Sequence, residues 1–86
     1  WILNPQKIIV LFYIGIEFMK DLSKQIGLAI REHRIAKNIT QERLALMCDI
    51  DRSYLGRIER GEVNITVVKL SQIAQILEIS IKDLIP

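Results

Sequence analysis

The sequence predicts a small all-α domain, preceded by an apolar segment. Three observations predict it. Apolar residues between Asp21 and Pro86 recur at three- and four-residue spacing. Side chains that cap helices stand where each apolar stripe begins. No stretch after Asp21 alternates long enough to make a strand. Composition agrees: of 86 residues, 50% are hydrophobic and 26% charged, with only 4 Gly and 2 Pro. Those proportions describe a single compact chain and exclude disordered, collagenous and low-complexity classes.

The elements follow in order. Leu22, Ile26, Ala29, Ile30 and His33 share one face, so residues 21–37 are expected to form a first helix, which Asn38 ends by taking a left-handed conformation. Thr40 caps a second helix, 41–48, with Leu44, Ala45 and Cys48 on its inner face. Asp49 and Ile50 make a tight turn. Asp51 caps a third helix, 52–60, with Leu55 and Ile58 inward, and Gly61 stops it. Thr66 caps a fourth, in which Leu70, Ile73, Ala74 and Leu77 form an i, i+3, i+4, i+7 stripe. Ser80 with Asp83 reads as a capping box for a last short turn near Pro86, giving five helices in all. Leu70, Ile73, Leu77, Ile79 and Ile81 together are a large apolar set, read equally as core or as part of a dimer interface.

Residues 1–18 read differently. Ile8 to Ile14 is unbroken apolar sequence. It falls short of the roughly 20 residues that span a bilayer, and no small-residue cleavage site follows it, which argues against a signal peptide. Met19 is an alternative natural start, which would make 1–18 an upstream extension. A segment this apolar is expected to pack on its own domain or on a second chain. Its Ile, Val, Phe and Tyr favour a strand, while Pro5 also allows a helix that starts there. The expected organisation is therefore an apolar extension, 1–18, and a domain, 19–86.

Twelve Lys and Arg against ten Asp and Glu leave a net charge of +2, compatible with a nucleic-acid partner without demanding one. The single cysteine, Cys48, rules out an internal disulfide framework, is expected in the core, and suits a reducing, cytoplasmic setting. One histidine, His33, excludes multi-His metal sites; it is expected to be half-buried or hydrogen-bonded. With one His, one Cys and no glycine-rich phosphate loop, no nucleophile–base–orienter set can be assembled, so an enzyme is not expected and no cofactor or metal is implied. Asn38-Ile39-Thr40 and Asn64-Ile65-Thr66 fit the glycosylation pattern, but both threonines are better explained as helix caps.

The second and third helices, joined by a tight turn, form a helix-turn-helix. Ala45 is small where the two helices must approach closely, and Ile50 can plug the core beneath the turn. The third helix turns Leu55 and Ile58 inward and leaves Arg52, Ser53, Arg57 and Arg60 outward. A helix of this size fits the major groove of duplex DNA, where Arg donates two hydrogen bonds to guanine and Ser bonds either way. The same pattern also describes an ordinary solvated helix face.

Thr40-Gln41-Glu42-Arg43-Leu44-Ala45, then Ile50-Asp51-Arg52-Ser53-Tyr54-Leu55, then Ile58-Glu59-Arg60-Gly61 resembles the XRE-type helix-turn-helix of phage repressors and Cro-like proteins. The likeness runs from about Ile26 to Ile85. With Asn64-Ile65-Thr66 added, it more narrowly resembles controller proteins of restriction–modification systems. This resemblance implies a lambda-repressor-like fold and a regulator that binds a pseudo-palindromic operator in double-stranded DNA as a homodimer. It implies base reading by Arg52, Ser53 and Arg57, and backbone contacts by Gln41, Tyr54, Arg60 and Asn64. It implies a partly buried structural ion pair between Arg34 and Glu59. Glu42 matches a position where repressors of this family touch RNA polymerase. A controller would both activate and repress, acting on its own gene and an endonuclease gene.

Three positions depart from the family pattern. Asp49 stands where many members have Gly, Gly56 where Ser is frequent, and His33 where an apolar residue is usual. Residues 1–18 have no counterpart in it. Two alternatives share the scaffold: a protein-interaction module docking through residues 1–18 and the fourth helix, and an antitoxin or prophage repressor.

Overall fold

The computed structural model describes residues 4–86. It contains four α-helices: α1 (Pro5–Ala36), α2 (Gln41–Met47), α3 (Arg52–Glu59) and α4 (Val67–Ile76). The expected fifth helix is a single 3₁₀ turn, Ile81–Asp83. Three residues are too few to close an i→i−4 bond; the turn closes instead through Leu84 N–H donating to the Ile81 carbonyl at 3.0 Å. The Ser80 N–H donates to the Asp83 carboxylate at 3.1 Å, which secures its start.

The caps explain where the helices begin. Thr40 Oγ1 accepts from Arg43 N–H, and Thr66 Oγ1 from Lys69 N–H, each at 3.1 Å. Asp51 takes the extended cap conformation, but its side chain makes no capping bond. Three helix ends turn through left-handed residues that are not glycine: Asn38 (φ 56°), Asp49 (φ 54°) and Glu78 (φ 59°). Gly61 (φ 74°) ends α3, and a Cβ there would sit 2.6 Å from Lys24 Cα, so both conformation and space require glycine.

The first helix differs most from expectation. It begins at Pro5 rather than near Asp21 and runs 32 residues without a break. The segment 5–18 is therefore helical and not a strand; of the apolar extension, residues 1–3 lie outside the described residues. Asn4 Oδ1 accepts from Lys7 N–H at 2.8 Å, and Pro5 needs no donor at the first position. No breaker follows, so the helical register passes straight through Gly15 into the domain. At about 1.5 Å per residue, α1 is about 48 Å long, which accounts for the molecule's 52 × 24 × 19 Å shape. Ile8 to Ile14 pack on nothing in the domain: their exposure runs from 52% (Ile8) to 68% (Phe12). No helix among the described residues is long and apolar enough to cross a membrane.

The core lies below this projection. Ile26 and Ile30 of α1, Leu44, Ala45 and Cys48 around α2, Leu55 and Ile58 of α3, and Leu70, Ile73, Ala74 and Leu77 of α4 are all buried together, with Leu84 closing the base. Ile79 and Ile81 pack against the same cluster, so the large apolar set of the C-terminal third serves the core. The apolar residues that α4 leaves to solvent are Val67 and Val68 at its start. His33 is half-buried.

Candidate nucleic-acid interface

The interface is built on α3. The helix packs against both α1 and α2. Leu55, Gly56, Ile58 and Glu59 form its buried side, which sets Arg52, Ser53 and Arg57 in solvent on the other. With side chains an α-helix is about 10–12 Å across, which matches the roughly 12 Å width of a B-DNA major groove. Ala45 is 2% exposed in α2, and Ile50 N–H bonds to its carbonyl at 3.0 Å, which folds the turn under α3.

The contact between α1 and α3 is unusually close. A Cβ at position 27 would lie 2.3 Å from the Ile58 carbonyl oxygen and 2.7 Å from that of Glu59. Gly27 therefore lets the two backbones meet. Nothing local in the sequence marks this glycine, because it does not show which helix will cross it.

Beside that contact lies a polar network. Arg34 binds Glu59 with two parallel bonds, Nε to Oε2 at 2.7 Å and Nη2 to Oε1 at 3.1 Å. The third edge of the guanidinium, Nη1, donates to the Ile39 carbonyl at 2.8 Å. Gln41 Nε2 donates to Glu59 Oε1 at 2.9 Å. Arg34 and Glu59 are 8% and 7% exposed, and no buried side-chain polar atom among the described residues lacks a partner. A bidentate pair of this kind is strong only because every donor and acceptor is matched.

An open cleft of about 670 Å³ sits over this network, lined by Arg31, Arg34, Thr40, Gln41, Glu42, Arg52, Glu59 and Arg60. It brings Gln41, Arg52 and Arg60 to one place. Exposed salt bridges hold two of these cations: Arg52 Nε lies 3.8 Å from Glu42, and Arg60 bonds to Glu62. That hydrogen bond from Arg60 keeps the Glu62 carboxyl below its ordinary range. Arg31 lines the same cleft and, among the described residues, has no carboxylate at ion-pair distance. An exposed Arg on a long helix gives no signal in the sequence until the helix is placed.

The remaining residues lie apart. Tyr54 is half-buried and lines a separate concavity at the turn with Leu46, Asp49, Ile50 and Asp51. Asn64, in the loop after Gly61, accepts from Ser23 Oγ of α1 at 3.1 Å, which leaves its amide N–H free to donate. Cys48 is buried, and burial pushes its thiol upward. No group of His, Cys, Asp and Glu among the described residues is arranged to hold a metal.

A helix packed on two neighbours, with a basic outer face and a tight turn joining it to a supporting helix, defines a helix-turn-helix DNA-binding regulator. The chain belongs to the helix-turn-helix family HTH_3, whose model matches residues 30–84. It is similar to the control protein C.BamHI of Bacillus amyloliquefaciens, at 38% identity over 60 residues, 69% of this chain and 74% of that one. It is also similar to the control protein C.SmaI of Serratia marcescens, at 32% identity over 65 residues, covering 76% and 77% of the two chains. In structure it resembles the restriction-modification controller protein C.AhdI from Aeromonas hydrophila, with a TM-score of 0.69 and 42% identity over 74% of this chain and 96% of that one. These relatives are regulators, in line with the absence of an assembled catalytic set in the sequence.

Proposed function

We propose that this chain is a sequence-specific transcription regulator of the controller type, binding a pseudo-palindromic operator as a homodimer in the cytoplasm. One observation carries the reading: α3 buries one side completely and presents Arg52, Ser53 and Arg57 together on the other. Arg52 and Arg57 suit guanine edges, and Ser53 can bond to any base or meet a thymine methyl. Gln41 and Arg60, at the cleft, Tyr54, beside the turn, and Asn64, in the loop after Gly61, are assigned to the phosphate backbone, which fixes register. Arg31 joins them as a backbone cation. Glu42 is exposed beside Arg52; once Arg52 enters the groove, the carboxylate is released toward a polymerase subunit. Arg34 and Glu59 are the structural pair beneath. We read 19–86 as the DNA-binding domain and 1–18 as an extension whose apolar helix meets a second copy.

The test is selection from a random duplex pool at about 150 mM salt, then a salt titration on the best sequence. Recovery of a two-fold-symmetric site with half-sites about 34 Å apart is expected. Affinity should fall steeply with salt, because each phosphate contact releases counterions. A folded protein that enriches no sequence refutes the assignment.

A further inference from the structure

We infer that Glu59 is a positioning residue for DNA binding, acting through Gln41 in addition to pairing with Arg34. The inference rests on the assignment of Gln41 to the phosphate backbone. An ionised carboxylate only accepts hydrogen bonds, so Gln41 must turn its nitrogen toward it. That bond, Gln41 Nε2 to Glu59 Oε1 at 2.9 Å, fixes the amide. Glu59 cannot swing away, because Arg34 holds both of its oxygens at 2.7 and 3.1 Å and is itself anchored to the Ile39 carbonyl. The amide's second N–H is left over, at the wall of the open cleft that Arg31, Arg52 and Arg60 also line. A neutral amide free to rotate would offer a phosphate its oxygen as readily as its nitrogen. With Glu59 in place only the donor is available, and no ordering remains to be done when DNA arrives. Glu59 lies in α3 and Gln41 in α2, so the same bond ties the groove-reading helix to the residue that sets its register on the backbone.

The experiment is a double-mutant cycle on the selected duplex, using Glu59→Gln and Gln41→Ala, with each variant assayed well below its melting temperature. Glu59→Gln should weaken binding about two- to tenfold in the parent chain, the worth of one hydrogen bond. It should change binding less than about twofold once Gln41 is Ala, because its route to the DNA is gone. Equal losses in both backgrounds would make Glu59 purely structural and overturn the inference, leaving Gln41 as a contact. If Gln41→Ala alone changes nothing, the backbone assignment falls and the inference with it. Should Glu59→Gln not fold, the side-chain amide of Gln41 in the parent protein decides by NMR. One Nε2 proton should exchange slowly in the free protein and both in the complex; two protons that exchange alike in the free protein overturn the proposal.

Discussion

The Cα of Gly27 meets the carbonyl of Ile58 so closely that a methyl group at position 27 would lie 2.3 Å from the oxygen. Two backbone segments, neither able to yield without moving its helix, share that space. Gly27→Ala should therefore destabilise the domain by about 1–3 kcal/mol, although Ala is the better helix former. Thermal unfolding monitored by circular dichroism measures it. An unchanged midpoint would mean that α1 and α3 sit farther apart.

Gly56 makes the opposite case. Its added Cβ would meet only the tip of the exposed Arg60 side chain, at 3.1 Å, and Gln41 Oε1 at 3.9 Å. Arg60 can move aside, so Gly56→Ala should stabilise by about 0.5–1 kcal/mol through helix propensity. Asp49, at φ 54°, bears a left-handed strain that glycine relieves. Asp49→Gly should gain about 0.5–1 kcal/mol after allowing for the extra freedom of the unfolded chain.

Base reading and backbone contact separate by mutation. Arg52→Ala or Arg57→Ala should cost about 1–3 kcal/mol of binding and relax preference at one position of each half-site. Arg31→Gln should weaken all sequences alike and lower the salt slope by about one per protomer, since it removes a phosphate cation. A shifted sequence preference in Arg31→Gln would place it in the groove instead.

Glu62 holds Arg60 in the free protein and is itself held below the usual carboxylate range by that bond. A carboxylate with a lowered folded pKa adds stability above its unfolded value, about 4.5, and loses it as pH falls through the folded value. The pair is therefore intact at neutral pH and opens only in acid. Arg60→Gln should return the Glu62 titration, followed by NMR, toward its ordinary value. Glu62→Gln should free Arg60, remove a negative charge near the phosphates, and raise DNA affinity.

Cys48 is buried, and burial holds its thiol in the neutral form. Its alkylation at neutral pH should follow the unfolding rate or population and be slow in the native state. Rapid labelling of the folded protein would contradict its place in the core.

Most helix boundaries were legible because caps are local. Thr40 and Thr66 accept from the N–H three residues on whatever else the chain does. The stripes of α2, α3 and α4 named their own buried faces, and Asn38 and Gly61 marked two ends by their tolerance of positive φ. Glu78 gave no such sign, for its side chain has no left-handed preference, and Leu84 joined the core from a turn too short to show a period. The apolar run before Met19 was ambiguous for a related reason: composition favours a strand, but an uninterrupted chain behind a good cap simply extends the helix.

The sequence by itself determined a helix-turn-helix with its cation-bearing face, since periodicity and capping need only neighbours along the chain. The tertiary structure alone decided that Gly27 is a crossing point, that Arg31 shares a cleft with Gln41, and that Gln41 is held by Glu59 eighteen residues away. Each of these depends on how α1, α2 and α3 pack on one another. A crossing is settled by the packing of whole helix faces, and no single residue announces it.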